Sequence, residues 1–406
     1  MQFQCPQCKA ILASDAVTEG MKVTCPECQA TFEVKQYVRE TRLRAVNDDA
    51  TGDGTATGGP LPDAIHSRVA SAIGIEKLQG FKLSDLFAEV FSKHSREEVE
   101  DYFTVGTAKS TPGILEVDAS WPKPWLFTRM MISALVLYFL FWIGWKLWEN
   151  PNLLPGLMLI GSFAIPISAL VLFIELNVRR NVSLYMVVRL VLLGGTLSLL
   201  ITHVIGTLLA AGLLPNAGWA PFLGAAIAGP EEETAKVLAM IAVASAAKYR
   251  YKLNGLLIGA AVGMGFAAFE SAGYAFNALL ANDSVEDMVA NINMRGLLAP
   301  FCHIVWSAIA GCALWRIING KEFRWRMLCD ENFVRLFLVP VVLHMIWNFP
   351  LQLPFFGNQI VAGIAGWIVC LSLVQEGLHE VAAEQAKARN DLGDNATTAM
   401  AEGGAQ

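Results

Sequence analysis

Charged residues are scarce in this chain. Asp, Glu, Lys and Arg make up 16% of its 406 residues, whereas hydrophobic types make up 54% and the mean hydropathy is +0.45. This composition excludes a large soluble protein with a single core and is typical of a polytopic membrane protein. The formal net charge is -6 and the basic residues are scattered along the chain, so a nucleic-acid partner is not expected.

Two other patterns are missing. The chain contains no HExxH motif, so it does not have the helical zinc site of the best-known metalloproteases. Its two halves show no repeat, although repeats are common in secondary transporters. Nothing at the N-terminus resembles a signal peptide, which predicts a cytosolic N-terminus with reduced cysteines.

The N-terminal 36 residues contain two cysteine pairs in the motifs "CPQC" and "CPEC". These pairs are Cys5, Cys8, Cys25 and Cys28. The spacing predicts a β zinc ribbon at residues 1–36, in which four thiolates complete a tetrahedral shell for Zn²⁺. The stretches "MKVT" and "ATFEV" are predicted to be its short strands. Two disulfides are the rival reading. A ribbon on the cytosolic side would serve substrate recruitment or regulation through a cytosolic partner.

Composition divides the rest of the chain into four parts. Residues 37–64 are rich in Gly, Asp and Thr and are predicted to be a flexible linker. Residues 65–120 are predicted to be a small, helical cytosolic region, with a capping box in "SREE" from Ser95 to Glu98. A transmembrane domain at 121–376 and a polar, largely disordered tail at 377–406 complete the chain.

Residues 121–376 contain eight apolar segments, most of which are long enough for the roughly 30 Å of bilayer hydrocarbon. The sequence therefore predicts an all-α polytopic membrane protein with about eight transmembrane helices. The segments lie near residues 125–148, 153–174, 184–213, 219–246, 255–280, 296–318, 335–350 and 356–376.

The distribution of basic residues predicts the orientation. The loops after the second, fourth and sixth segments carry eight of them, whereas the loops after the odd-numbered segments carry only Arg295. The eight are Arg179, Arg180, Lys248, Arg250, Lys252, Lys321, Arg324 and Arg326. By the positive-inside rule, both termini are expected to be cytosolic, with the protein in the cytoplasmic (inner) membrane.

One apolar segment contains the stretch "GPEEETAKVLAM", which places Glu231, Glu232, Glu233 and Lys236 among membrane residues. Each ionisable residue at the centre of a bilayer costs about 2.5–3.5 kcal/mol on insertion scales, so the group needs a functional or structural reason. Lys236 lies at helical spacing from Glu232 and Glu233 and is expected to neutralise one of them.

Three later segments carry polar residues of related types. Glu270 and Tyr274 are one helical turn apart in "GMGFAAFESAGYAF", His303 and Ser307 share a face in "FCHIVWSAIAG", and His344 and Asn348 do so in "HMIWN". At 1.5 Å per residue, the charged and histidine side chains lie roughly 10–20 Å below the outer surface. They are therefore expected to form one cluster.

These motifs resemble those of the PrsW glutamic-type intramembrane proteases, which are related to the CAAX prenyl endopeptidase and bacteriocin-immunity membrane enzymes. The Glu-Glu-x-x-Lys motif matches Glu232, Glu233 and Lys236, and Phe-Ala-x-x-Glu with a following tyrosine matches "FAAFESAGY". The histidine motifs match His303 and "HMIWN". The resemblance extends over about residues 120–376, and the four motifs in this order are jointly specific.

The resemblance implies an intramembrane endopeptidase that hydrolyses a membrane-anchored protein within the lipid bilayer. Glu232 or Glu233 would be the base that activates water, with Lys236 holding its charge. Glu270, His303 and His344 would be ligands of zinc or another divalent metal, or donors to the oxyanion. Tyr274, Ser307 and Asn348 would support them. Because related families are argued both as metalloenzymes and as metal-free glutamate enzymes, the sequence leaves a metal in the membrane site open.

Two other classes of protein also fit parts of the pattern. A proton- or ion-coupled transporter would place Glu, Lys and His in its membrane spans. A non-catalytic scaffold would recruit partners through the zinc ribbon but would not need the buried charges.

Overall fold

The computed structural model describes most of the chain in two compact units, Met1–Ala56 and Thr57–Gln406. The described residues are 2–4, 11–13, 21–24, 31–33, 63–76, 78, 81–95, 98, 103–107, 109–213, 220–244, 248–351 and 353–403.

The described part of the first unit consists of two antiparallel strand pairs. These are β1 (Gln2–Gln4) with β2 (Ile11–Ala13), and β3 (Lys22–Thr24) with β4 (Thr31–Glu33). Val23 lies opposite Phe32, so the two strands predicted from "MKVT" and "ATFEV" pair with each other. The four ribbon cysteines, Cys5, Cys8, Cys25 and Cys28, lie outside the described residues, as does the linker up to residue 62. The zinc ribbon thus stays a prediction.

The second unit begins with a region that is only partly helical. It contains α1 (Asp63–Ile73) and 3-10 turns at Leu83–Phe87 and Ile114–Glu116. The predicted capping box is present, since Ser95 N donates to Glu98 Oε2 at 2.8 Å and Glu98 N donates to Ser95 Oγ at 3.1 Å. The sequence overestimated helix here because this region also contains the irregular stretch at 117–125.

The membrane domain is built from long helices. They are α2 (Leu126–Trp148), α3 (Leu154–Leu176), α4 (Leu184–Arg189), α5 (Gly195–Leu213), α6 (Ala220–Val243), α7 (Lys252–Asn282), α8 (Val285–Leu298), α9 (His303–Ile318), α10 (Glu331–Trp347) and α11 (Gly357–Gly403). A π-helical turn at Leu190–Gly194 joins α4 to α5.

Six helical stretches in the described part of the chain are long and apolar enough to cross a membrane. They are Leu126–Trp148, Pro151–Leu176, Leu184–Leu209, Lys252–Asn282, Val285–Ile318 and Pro354–Leu392. The protein is therefore a multi-pass, all-α membrane protein, as predicted. The other two predicted spans are helices too, but α6 carries three glutamates and a lysine, and α10 has only 17 residues.

The predicted span 296–318 is not one continuous helix. α8 ends at Leu298, a 3-10 turn occupies Ala299–Phe301, and α9 begins at His303. Pro300 lies in this turn, where its missing backbone donor is tolerated. The break makes His303 the first residue of α9, so its side chain lies at a helix end within the membrane domain.

Small residues bring α7 and α9 into close contact. Gly255, Gly259 and Gly263 recur every four residues on one face of α7. A Cβ atom at Gly259 would lie 2.0 Å from the Ser307 carbonyl oxygen, and one at Gly263 would lie 2.5 Å from that of His303. Only glycine permits this approach, which is a common packing device of membrane helices. It fixes His303 against α7.

The C-terminal segment 377–406, predicted to be a disordered tail, is helical as far as Gly403. The prediction rested on polar composition, but part of the segment is packed. Leu378 and Val381 are buried, and Gln385 Nε2 donates to the carbonyl oxygens of Ile114 (2.9 Å) and Val117 (2.6 Å). The apolar residues share a helical face that composition alone does not reveal.

A charged network joins several helix ends at one side of the domain. Glu376 is buried, and its carboxylate lies 3.2 Å from Lys252 Nζ and 3.3 Å from Arg316 Nη2. It also accepts from the backbone N–H of Glu76 at 2.9 Å. The region that follows α1 therefore lies at the same side as the ends of α7, α9 and the middle of α11.

Candidate active site

Four helices bring the motif residues together. Glu232, Glu233 and Lys236 lie on α6, Glu270 on α7, His303 at the start of α9 and His344 near the end of α10. Glu233, Lys236 and His344 are almost completely buried. The structure therefore groups residues that are up to 112 positions apart, from Glu232 to His344, into one polar cluster.

Lys236 lies at the centre of the cluster. Its Nζ atom is 2.7 Å from Glu233 Oε1, 3.6 Å from Glu232 Oε2 and 3.0 Å from His303 Nδ1. It also lies 4.2 Å from the centroid of the Phe266 ring, a cation–π contact. A lysine ammonium can only donate, so His303 Nδ1 accepts. One cation thus faces two carboxylates.

Glu233 orients His344. The two are joined by a 3.1 Å hydrogen bond between His344 Nδ1 and Glu233 Oε1. A carboxylate accepts here, so Nδ1 carries the proton and Nε2 is left with its lone pair. That nitrogen lies 3.7 Å from Glu232 Oε2. A carboxylate that fixes the ring and tautomer of a histidine is common behind metal-binding and catalytic imidazoles.

Glu232 differs from its neighbour. Its side chain is 14% exposed, whereas that of Glu233 is fully buried. The Glu232 Oε2 atom accepts no hydrogen bond from any described residue. Together with His344 Nε2 it presents two unused acceptor atoms, 3.7 Å apart, to a water molecule or an ion.

Glu270 is held by Arg295, a residue of α8 that the sequence analysis did not assign to the site. Arg295 Nη2 lies 2.5 Å from Glu270 Oε2, and Arg295 Nε donates to Ser271 Oγ at 2.9 Å. The same Glu270 oxygen lies 3.2 Å from His303 Nε2, which therefore donates to it. Arg295 was the only basic residue predicted in the loops after the odd-numbered apolar segments, and that isolation was the signal that could have found it.

The three predicted supporting residues do not enter this cluster. Tyr274 is half exposed, and its ring packs against Arg295, whose guanidinium carbon is 4.4 Å from the ring centroid. Ser307 is buried at the contact between α7 and α9, next to Gly263. Asn348 ends α10 and is exposed. Each lies one helical turn from Glu270, His303 or His344, so it shares a helix face with that residue but not its position along the helix.

Glu231, the first glutamate of the run, points elsewhere. Its carboxylate packs against α5, so closely that a Cβ atom at Gly206 would lie 2.5 Å from Glu231 Oε1. Successive residues of a helix point about 100° apart, which separates Glu231 from the cluster.

Residues 182–374 match the family model of the PrsW family intramembrane metalloprotease. This part of the chain belongs to that family. All four motifs lie within the matched range, so the resemblance predicted from them is confirmed. PrsW proteases are peptidases of the membrane, and the chain is accordingly a membrane protease whose substrate is a protein embedded in the bilayer. No curated protein and no solved structure matches the chain.

The donor set fits the metal that a PrsW metalloprotease implies. Glu232, His303 and His344 each offer a ligand atom, and these atoms lie within 4.8 Å of one another. A carboxylate with two imidazoles is a known three-ligand set of catalytic zinc, and Glu232 Oε2 accepts no hydrogen bond from the described residues. Glu270, predicted as a ligand with His303 and His344, is instead engaged by Arg295. For His303 to bind through Nδ1, Lys236 would have to release that atom.

Proposed function

We propose that this PrsW protease hydrolyses a peptide bond in a membrane-anchored segment with a water molecule activated by Glu232. The observation that carries the proposal is the difference between the two adjacent glutamates. Glu233 is fully buried, and its Oε1 atom is hydrogen-bonded to Lys236 and His344. The side chain of Glu232 is 14% exposed, and its Oε2 atom makes only longer contacts of 3.6–3.8 Å with Lys236, His344 and His303. Glu232 is thus available to bind water, and Glu233 is a positioning residue.

The reaction follows from these positions. Glu232 takes a proton from water, and the resulting hydroxide attacks the carbonyl carbon of the scissile amide. The carbon–nitrogen bond then breaks, and the proton passes to the leaving amine, so one amide and one water give a carboxylic acid and an amine. Lys236 and His344 flank Glu232 at 3.6 and 3.7 Å and hold it in place.

Glu232, His303 and His344 would hold a divalent metal, with zinc the proposed ion, and one carboxylate oxygen of Glu232 would then bind the ion while the other accepts the proton from water. Such an ion would supply Lewis-acid activation of the water. In that arrangement Glu233 keeps its place behind His344, at 3.1 Å, and Glu270 stays fixed beside His303 by Arg295. These two carboxylates orient the imidazoles whether or not an ion is bound.

Cleavage assays test the proposal. The full-length protein is reconstituted in phosphatidylcholine vesicles with a synthetic apolar helix of about 20 residues, long enough to span the bilayer. Mass spectrometry should find fragments cut within the apolar segment, and none when Glu232→Gln replaces the wild-type protein.

We also propose that residues 1–36 form a zinc ribbon. In support, the two cysteine pairs fall in the chain between β1 and β2 and between β3 and β4, as the knuckles of a ribbon do. A peptide of residues 1–40 is expected to fold only when Zn²⁺ is added, because its apolar residues are too few for a core. Titration monitored by circular dichroism and X-ray absorption checks this. A folded metal-free peptide, or zinc without four sulfur ligands, would contradict it.

The orientation is proposed to put both termini in the cytosol of a cell with this protein in its inner membrane. The eight-to-one distribution of basic residues supports this orientation, as does the charged network around Glu376, which joins Lys252 and Arg316 at one side. Reporter enzymes fused after Asn216, Ser284 and Gly357 are expected to show that these three positions lie outside the cytosol. Cytosolic activity at any of the three positions would require a different path through the membrane.

A further inference from the structure

A cavity of about 160 Å³ lies next to His303. Its wall is formed by α7, α8, the break before α9, the end of α10 and the start of α11. Most of the lining is apolar and includes Met294, Leu298, Ala299, Trp347 and Phe356. The cavity is therefore a mostly apolar space that has one residue of the catalytic cluster, His303, in its wall.

The donor groups of the two long polar side chains in the wall already have partners. Arg295 is bonded to Glu270 and Ser271, and Gln359 Nε2 donates to the Trp347 carbonyl oxygen at 3.1 Å. A charged side chain entering the cavity would lose its hydration without gaining a free partner of opposite charge. The chemistry of the wall selects apolar groups.

The volume indicates what size of group fits. An engineered protein cavity of about 150 Å³, lined by aliphatic and aromatic side chains, stays dry and binds benzene. The cavity beside His303 is of similar volume, and most of its lining is apolar. It accommodates one phenyl ring or one branched aliphatic side chain.

The rim of the cavity faces outward. Met294 and Phe356 are 46% and 56% exposed, and their apolar neighbours Leu297 and Phe355 are 69% and 91% exposed. In a membrane protein such a surface contacts lipid or another membrane-embedded chain. A group can therefore enter from the bilayer.

We propose that this cavity is the subsite that binds an apolar or aromatic side chain of the substrate's membrane segment, beside the bond that is cut. The inference rests on the proposed proteolytic function. His303 lines the cavity and also offers a ligand atom within 4.8 Å of those of Glu232 and His344. A side chain seated in the cavity thus brings the amide that carries it to the catalytic cluster.

Photo-crosslinking tests the occupant independently of catalysis. Full-length Glu232→Gln protein in phosphatidylcholine vesicles is mixed with a synthetic apolar helix of about 20 residues that carries a photoreactive phenylalanine at its centre. Crosslinks mapped by mass spectrometry are expected on Met294, Leu298 and Phe356. Peptide crosslinks confined to other residues would overturn the proposal, as would labelling of these three by a photoreactive phospholipid and not by the peptide.

Substrate preference provides a second test. Wild-type protein should cleave a peptide with central Phe about tenfold or more faster than one with central Ala, measured as kcat/KM. Met294→Trp, which fills the cavity, should remove this preference. Leu297→Trp is the matched control, because Leu297 lies on the same helix outside the cavity wall. If wild type, Met294→Trp and Leu297→Trp all show the same ratio of kcat/KM for the Phe peptide to that for the Ala peptide, the subsite proposal is wrong. If wild type cleaves neither peptide, the proposed function fails, while the crosslinks still decide the subsite.

Discussion

Glu232→Gln is expected to lower the rate of peptide hydrolysis by roughly 10²–10⁴-fold, the contribution typical of a general base. The amide keeps the size of the side chain but cannot take a proton from water. His344→Ala should cause a loss of the same order, since His344 Nε2 is the other free acceptor, 3.7 Å from Glu232 Oε2. The measurement is kcat/KM in vesicles with the apolar peptide, with membrane insertion verified for each variant.

Glu231→Gln is the matched control for this experiment. It makes the same chemical change one residue earlier, at a side chain that packs against Gly206 of α5. Activity close to that of wild type is expected. If Glu232→Gln and His344→Ala also cleave at the wild-type rate, the site assignment is wrong. If the wild-type protein carries ions across the vesicle membrane with dependence on Glu232, the transporter reading is favoured.

Lys236→Met is expected to have the largest effect on stability. Lys236 is fully buried between Glu232, Glu233 and His303, and its removal leaves buried carboxylates without their cation. Breaking a buried ion pair from one side costs about 3–5 kcal/mol. The loss of stability is measured by thermal unfolding in detergent. Unfolding is monitored through the reaction of a thiol dye with Cys312 and Cys370, which are buried in the folded protein.

Two further variants make that result interpretable. The double variant Glu233→Gln with Lys236→Met should be less destabilised than Lys236→Met alone, because the strongest uncompensated charge is gone. Lys146→Met removes the partner of Glu286 in an ion pair whose two side chains are both exposed, and it should change the unfolding temperature little. Equal unfolding temperatures for Lys236→Met and Lys146→Met would show that the central ion pair does not stabilise the fold.

The helices of the membrane domain could be predicted because long apolar runs have few alternatives in a bilayer. Their interruptions were harder to predict. The break before His303 depends on Pro300 and on the packing of α8, and hydropathy averages over both. The helix through residues 377–392 depends on single residues such as the buried Val381 and Gln385, whose side chain donates to carbonyl oxygens before α2, and composition does not show these.

The sequence predicted which residues form the site but not which of them contact one another. Four motifs identified Glu232, Glu233, Lys236, Glu270, His303 and His344, which the structure brings together. Helical spacing says which residues share a face of one helix, yet Arg295 contacts Glu270 from the neighbouring helix α8. The distinction between Glu232 and Glu233 also depends on contacts with α9 and α10 that no local pattern contains.

Hydrolysis in water enriched with ¹⁸O shows whether this protein cuts an apolar helix with a water molecule and whether the cut depends on Glu232. Wild-type protein in vesicles is incubated with the apolar peptide, and the fragments are weighed by mass spectrometry. We expect a cut inside the apolar segment, one ¹⁸O atom in the new carboxyl group, and no such product with Glu232→Gln. An intact peptide with wild type, or the same labelled fragments with Glu232→Gln, would contradict this expectation.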